Sequence, residues 1–538
     1  MPVRRPIALA LLATVVCLCA ALPLFYIGYH AFRAEPEIWG RLTTAQLPRL
    51  GRRTLLLLLY VCGTTAAIGI LAAWLVERTD LPWRRFWRWL LVLPLAVPGY
   101  VMSVCYMFLL RRGGFIDRMA MTYLGFERQE FPLPPLFTVG GVAVVMSLYA
   151  FPLVYLAVAA ALRVQDAALE DAARVLGRSG RQIFIGLTLR LIVPAITGGL
   201  LLVGLYVLSD FGTVALMRYQ TFTTAIYRQF AGTIGRTAAS IVSIGLLGLS
   251  LPLLLGENWL SRSERRYSRS AQWRPAPVMQ LGSWRWLAIG YIVVLATLSI
   301  FVPLLVLSGL TIRGIVAPTE VDRIWSIGPG SLFASGSNSI VLAVAGATLV
   351  VVLGILPALL TVRYPSEYSR TLSWLSKTAF SLPGIIVGLG FLMFFIRTPI
   401  YATVAALGLA LTFRLLPQTV ALSEATLRTV SPTLEQAAHT LGAGQWNTLR
   451  RVTIPLAAPG LLAAWALAFV TAMKELPLLV ILRPPGFDTL PVKVWEAAND
   501  SIYTQAAPPA LLLVALTTVT LGIVYSVGRF GVDKVIED

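Results

Sequence analysis

Long apolar runs separated by short arginine-bearing segments set the pattern of this chain. The first run covers residues 7–29, behind Arg4 and Arg5. Further runs long enough to cross roughly 30 Å of hydrocarbon lie near residues 54–75, 87–110, 137–162, 191–211 and 237–255. After a polar stretch the pattern resumes near 286–307, 339–362, 374–395, 401–422, 456–474 and 508–527. The pattern predicts an all-α polytopic membrane protein with twelve transmembrane helices, six in each half. The first run is too long for a secretion signal and has no convincing small-residue cleavage site, so it reads as a retained helix.

Two polar interruptions carry the same text. Leu169-Glu170-Asp171-Ala172-Ala173-Arg174-Val175-Leu176-Gly177 and Leu434-Glu435-Gln436-Ala437-Ala438-His439-Thr440-Leu441-Gly442 superimpose with a shift of 265 residues. The same shift matches 9 of 29 positions from Asp166 to Pro194. That agreement marks an internal duplication. Leu169, Ala172, Ala173 and Leu176 are spaced to share one helical face, as are Leu434, Ala437, Ala438 and Leu441. Asp166 and Ser431 are suited to the N-caps, and Pro432 to a first helical position. Glu170 and Glu435 fall in the first turns, where the helix dipole favours negative charge. Gly177 and Gly442 are suited to the left-handed residue that ends a helix. Each copy is a short capped helix with a small apolar face, fit either for a groove on a partner protein or for a buried connector.

Other echoes need a different register. Arg53-Thr54-Leu55 matches Asn338-Ser339-Ile340, and Pro98-Gly99 matches Pro383-Gly384, with a shift of 285. The first half therefore holds about twenty extra residues, and residues 111–136 are the place expected for them. The expected division is residues 1–256 for the first repeat, 257–283 for a linker and 284–538 for the second repeat. The linker carries Arg262, Arg265, Arg266, Arg269 and Arg274. It reads as a solvated cytoplasmic loop near anionic lipid, with Trp273, Trp284 and Trp286 at the membrane interface.

The two motifs resemble the Glu-Ala-Ala signature of the inner-membrane permeases of ABC importers. Glu170-Asp171-Ala172-Ala173 with Gly177, and Glu435-Gln436-Ala437-Ala438 with Gly442 and Ile454-Pro455, carry the resemblance. Both copies place one residue between the Glu and the Ala pair, and Arg190 stands where the second copy has Pro455, so the end of the first loop is expected to bend differently. The resemblance implies two parallel six-helix repeats with the type I permease fold, fused in one chain. It also implies that Glu170, Ala172, Ala173, Gly177, Glu435, Ala437, Ala438 and Gly442 couple the chain to a pair of ATPase subunits. A periplasmic or extracellular binding protein would deliver the substrate. Residues 208–215, 221–227, 473–477 and 483–490 are similar to stretches of iron(III)-type fused permeases. Permeases for thiamine, phosphonates and other small solutes share the architecture.

Composition agrees with a membrane protein: 57% of residues are hydrophobic and 13% charged, with a mean hydropathy of +0.77. The net charge of +19 comes from 40 Arg and four Lys, clustered mainly between apolar runs. Topology explains this without nucleic acid: an inside N-terminus puts both motif loops, the linker and the C-terminal tail in the cytoplasm of a bacterial inner-membrane protein. Arg52, Arg53, Arg111 and Arg112 dissent from that pattern.

Catalytic chemistry is absent from the pattern. Cys17, Cys19, Cys62 and Cys105 lie inside apolar runs and read as packed small hydrophobes. His439 is four residues after Glu435, which suggests a contact between them. No Gly-Lys dipeptide occurs, so there is no Walker A loop. ATP and Mg would belong to the partner ATPase, and no cofactor is expected in this chain. A secondary transporter with internal repeats is the competing class. For a substrate path, the shift of 265 superimposes Asp210 on Glu475, each near the expected outer end of a fifth span. Acids in a membrane face a cavity or a partner, and with Tyr206 they would offer oxygen donors to a hard cation. The alternative is that they cap helix ends or pair with Arg218 and Lys474.

Overall fold

The structure is a computed structural model that describes residues 7–127, 130–231, 235–263, 278–318, 328–378 and 382–537. Arg4, Arg5 and most of the expected linker, including Arg265, Arg266, Arg269, Trp273 and Arg274, lie outside the described residues. What is described is helical, apart from turns and an isolated bridge between Thr79 and Met279.

Among the described residues ten helices are long and apolar enough to cross a membrane. In the first half they are Ile7–Phe32, Pro36–Arg78, Val139–Val164, Phe184–Ser209 and Gly235–Gly256. In the second they are Gly282–Val316, Pro329–Arg363, Val404–Thr429, Gln445–Lys474 and Tyr503–Ile523. These ten, or eleven if a bent pair is counted as one span, fit the expected plan of about twelve crossings, in which the third of each half is broken or short. In the first half Arg84–Ala96 and Gly99–Leu124 meet at 90°. Proline causes the break: Pro98 has no N–H to donate and pushes Val97 into extended backbone. In the second half the corresponding apolar helix is only Gly384–Phe395, starting after Pro383.

The duplication extends to element boundaries. Gly99–Leu110 and Gly384–Phe395 differ by 285 in both limits, whereas Val139–Val164 and Val404–Thr429 differ by 265. The extra residues of the first half therefore lie between Leu110 and Val139, and they fold as the helix Phe115–Leu124 and the loop after it. Thr138 and Thr403 cap the fourth spans in the same way, accepting from Gly141 N and Ala406 N.

Within each half the second span packs along the fourth, Leu47–Arg78 on Val139–Val164 and Pro329–Arg363 on Val404–Thr429. The first spans cross over. Ile7–Phe32 lies on Gly384–Phe395 of the other half, and Val302–Val316 lies on Gly99–Leu110. Gly390 permits the first crossing, because a Cβ there would overlap Pro23. Tyr106 holds the second through a 2.7 Å bond to the Leu298 carbonyl. The outer surface remains apolar, with Leu11, Phe25, Leu59 and Leu305 all more than half exposed. Such a surface suits hydrocarbon, and helices satisfy their own backbone there.

Residues after the fifth spans do not form simple outer loops. Gly212–Leu216 and Phe222–Ala231, and likewise Pro477–Leu482 and Leu490–Asn499, are short helices folded back into the core. Thr213, Val214, Leu478 and Val494 are fully buried.

Candidate functional site

The motif helices form as their sequences predict. They run Ala167–Val175 and Pro432–Thr440, capped by Asp166 on Ala168 N and by Ser431 on Thr433 N. Gly177 and Gly442 have φ of 75° and 83°, the left-handed values that glycine adopts at least cost. Around them the last carbonyls are satisfied by paired bonds: Arg178 N to Ala173 O and Gly177 N to Arg174 O in one copy, Ala443 N to Ala438 O and Gly442 N to His439 O in the other. A π-helical turn then leads into each fifth span, Phe184–Thr188 and Leu449–Thr453. All these boundaries keep the shift of 265, so the different bend expected from Arg190 is not found. Arg190 and Pro455 take the same place, the second residue after the π-helical turn.

The motif glutamates face inward. Glu170 is 6% exposed and pairs with Arg78, the last residue of the second span, while also accepting from Thr188 Oγ1 at 3.4 Å. Glu435 repeats this with Arg363, whose Nε and Nη2 lie 3.0 and 2.9 Å from Oε1, and with Thr453 Oγ1 at 2.8 Å. The surface left for a partner is apolar: Val175, Leu176 and Leu441 are each at least 80% exposed, with Ala172 and Ala437 also exposed and Ala173 and Ala438 half-buried. His439 does not use Glu435; its Nδ1 lies 2.9 Å from the Ala443 carbonyl and braces the closing turn.

The second cluster lies where the two halves meet. Asp210 ends the fifth span and turns back to cap the next short helix. Its carboxylate accepts from Thr213 N at 2.9 Å, Thr213 Oγ1 at 3.0 Å, Tyr149 Oη at 3.1 Å and Val214 N at 3.4 Å. Glu475 takes the same place in the second half and accepts from Leu478 N. It is 8% exposed, and its Oε1 is buried with no hydrogen-bond partner. Position 149 of the first half corresponds to Arg414, which lies within electrostatic reach of Glu475. Gly99 and Gly384 open the inner helices against these acids. A Cβ on Gly99 would meet Thr213 Oγ1 at 2.5 Å and Tyr149 at 2.6 Å, and one on Gly384 would strike Glu475 Oε1. Tyr206 packs its ring 5.7 Å from that of Tyr149, is 37% exposed, and lies within electrostatic reach of both acids. Across the interface, Phe211 lies 5.0 Å from Trp495 and a Cβ on Gly212 would sit 3.0 Å from Leu476, while within the first half it would sit 2.8 Å from Tyr100.

The proline break also lies on this interface. It leaves the carbonyls of Leu95 and Ala96 without helical donors. The second half supplies them: Lys474 Nζ reaches Leu95 O at 2.7 Å, and Thr517 Oγ1 reaches Ala96 O at 2.9 Å. Of the alternative roles, Asp210 takes the capping one, while Lys474 donates to Leu95 O instead of pairing with Glu475. At this interface Glu475 is buried and Asp210 half-buried.

Residues 66–269 and again 350–534 match the family described as binding-protein-dependent transport system inner membrane component. The chain belongs to this permease family. The permease is 30% identical over 522 residues to the Fe(3+)-transport system permease protein FbpB 2 of Haemophilus influenzae, covering 96% of this chain and 97% of the relative. It is 23% identical over 466 residues to the ferric transport system permease protein FbpB of Actinobacillus pleuropneumoniae, covering 82% of this chain and 66% of that one. A putative 2-aminoethylphosphonate permease, PhnV of Salmonella paratyphi A, is 34% identical over 154 residues, 28% of this chain and 58% of that one.

The permease is thus a multi-pass inner-membrane subunit without catalysis of its own, working with an ATPase and a substrate-binding protein. Sequence reasoning named the eight motif positions but not the side chains that hold the motif helices. Arg78 and Arg363 read there only as cytoplasmic charge, yet each ends the second span of its half and keeps the 285 shift. That equivalence was the available signal. Tyr149, Arg414, Lys474 and Thr517 carried no signal for their contacts, because their partners come from distant helices.

Proposed function

We propose that this chain is the permease of an iron(III) importer, moving the ion by alternating access while two ATPase subunits bind its two motif loops. The observation that carries the reading is the end-to-end likeness to an Fe(3+)-transport permease, 96% of this chain against 97% of that one. The phosphonate relative reaches only 28% of this chain and favours no second cargo. Uptake of radiolabelled iron in a strain lacking the chain should return with it and be unaffected by excess thiamine or 2-aminoethylphosphonate. Restored thiamine or phosphonate uptake without iron uptake would reject the cargo.

Both motif loops and both termini face the cytoplasm in this reading, as the arginine distribution supports. Val175→Cys and Leu441→Cys, in a background without other cysteines, should react with impermeant maleimide only from the cytoplasmic side. Labelling from outside intact cells would reject the orientation.

Asp210, Glu475 and Tyr206 line the path in this reading, with unequal tasks. Asp210 is fully engaged as a cap, so it shapes the path, while Glu475 and Tyr206 offer the oxygens. Among the described residues no three His, Cys, Asp or Glu gather to hold a metal ion. Sparse oxygen contacts suit a path, where binding must be weak enough for release.

A further inference from the structure

The motif helices are fastened to their own half by one repeated triad. In the first half Arg78, Glu170 and Thr188 meet; in the second, Arg363, Glu435 and Thr453. The Arg ends the second span, the Glu is in the first turn of the motif helix, and the Thr is the last residue of the π-helical turn of the fifth span. The two arginines are related by a shift of 285 and the other members by 265. An insertion of some twenty residues between them has therefore left the contact in place in both halves. Arg363 Nη2 also donates to the Val430 carbonyl at 3.0 Å, which adds the end of the fourth span.

A duplicated ion pair, buried in the first half and partly buried in the second, is not explained by stability alone, since apolar packing of similar volume does as well or better. What an ion pair with a fixed hydroxyl donor does provide is one geometry. The exposed Leu176 and Leu441 lie at the far end of each helix, so a push there is delivered at the glutamate end to two spans together.

We propose that Arg78 and Arg363 are the positioning residues through which movement of the motif helices reaches the second and fifth spans. This rests on the motif loops being the ATPase contact. Without the arginine the helix still forms, because its caps and glycine stop are local. Its movement is then lost in the first turn instead of displacing the spans.

The test uses the complete transporter, reconstituted in vesicles with its ATPase and binding protein, and reads iron taken up per ATP hydrolysed. Arg363→Glu and Glu435→Arg should each lower that ratio about five-fold or more, the lower end of ordinary inter-site coupling. The exchange Arg363→Glu with Glu435→Arg should recover most of it. Arg78→Glu and Glu170→Arg should behave alike. A ratio kept at the wild-type value in both single variants would overturn the proposal, as would an exchange variant that assembles fully yet remains as uncoupled as the singles. A wild-type complex that hydrolyses ATP without moving iron would instead remove the functional reading beneath it.

Discussion

Glu475→Gln in the assembled transporter should lower iron uptake about ten-fold, equivalent to about 1.4 kcal/mol on the translocation barrier, with little change in thermal stability. The amide keeps the shape and the bond from Leu478 N but loses the charge. In the protein Oε1 of Glu475 accepts no hydrogen bond, so the amide breaks none there. Gly384 packs directly against that same oxygen, where a Cβ would overlap it. Asp210 should respond in the opposite way. Its carboxylate fastens two backbone N–H groups and two hydroxyls, so Asp210→Ala should cost about 0.5–2 kcal/mol of stability as a lost cap. Asp210→Asn, a good capping residue, should be nearly neutral. Wild-type uptake by Glu475→Gln at normal expression would remove Glu475 from the path.

Lys474→Met should lower the thermal unfolding midpoint of the purified protein and loosen one half from the other. The Leu95 carbonyl is exposed by the proline break and has this ammonium as its donor across the interface. A buried carbonyl left without a donor costs about 1–3 kcal/mol, and lipid offers no replacement. Thr517→Val removes the neighbouring donor to Ala96 O and should act in the same direction with a smaller shift, since a neutral hydroxyl is the weaker donor. The double variant should be less stable than either. Because halves that rock must change this interface, uptake should fall alongside stability. An unchanged midpoint in both single variants would show that the break is held by other contacts.

These expectations come from contacts that only the folded chain reveals, and the boundary is physical. Caps, helix stops and apolar length are local properties, so the motif helices around Glu170 and Glu435 were legible residue by residue. The repeat was legible too, down to the extra residues after Leu110. The broken third spans were not, because a hydropathy average runs smoothly across Pro98 and Pro383; the prolines were in view, and their missing N–H groups were the clue. Short helices such as Gly212–Leu216 and Pro477–Leu482 are too brief to show a period, so the residues after Asp210 and Glu475 read as loops. The arginine partners of the motif glutamates lie 92 and 72 residues away in sequence. At that separation charge statistics speak only of membrane side, which is how Arg78 and Arg363 first read. Lys474 differs for a related reason: adjacency to Glu475 suggested a pair, whereas the helix ends at Lys474 and Glu475 leaves it in extended backbone.

The most direct test of the whole account is iron accumulation by sealed vesicles that contain the chain, its ATPase and the ferric-loaded binding protein. Accumulation should require ATP together with the ATPase, and should cease when either is omitted, whatever ion gradient is imposed. Accumulation driven by a proton or sodium gradient in vesicles that hold the chain alone would contradict the account and assign the chain to secondary transport.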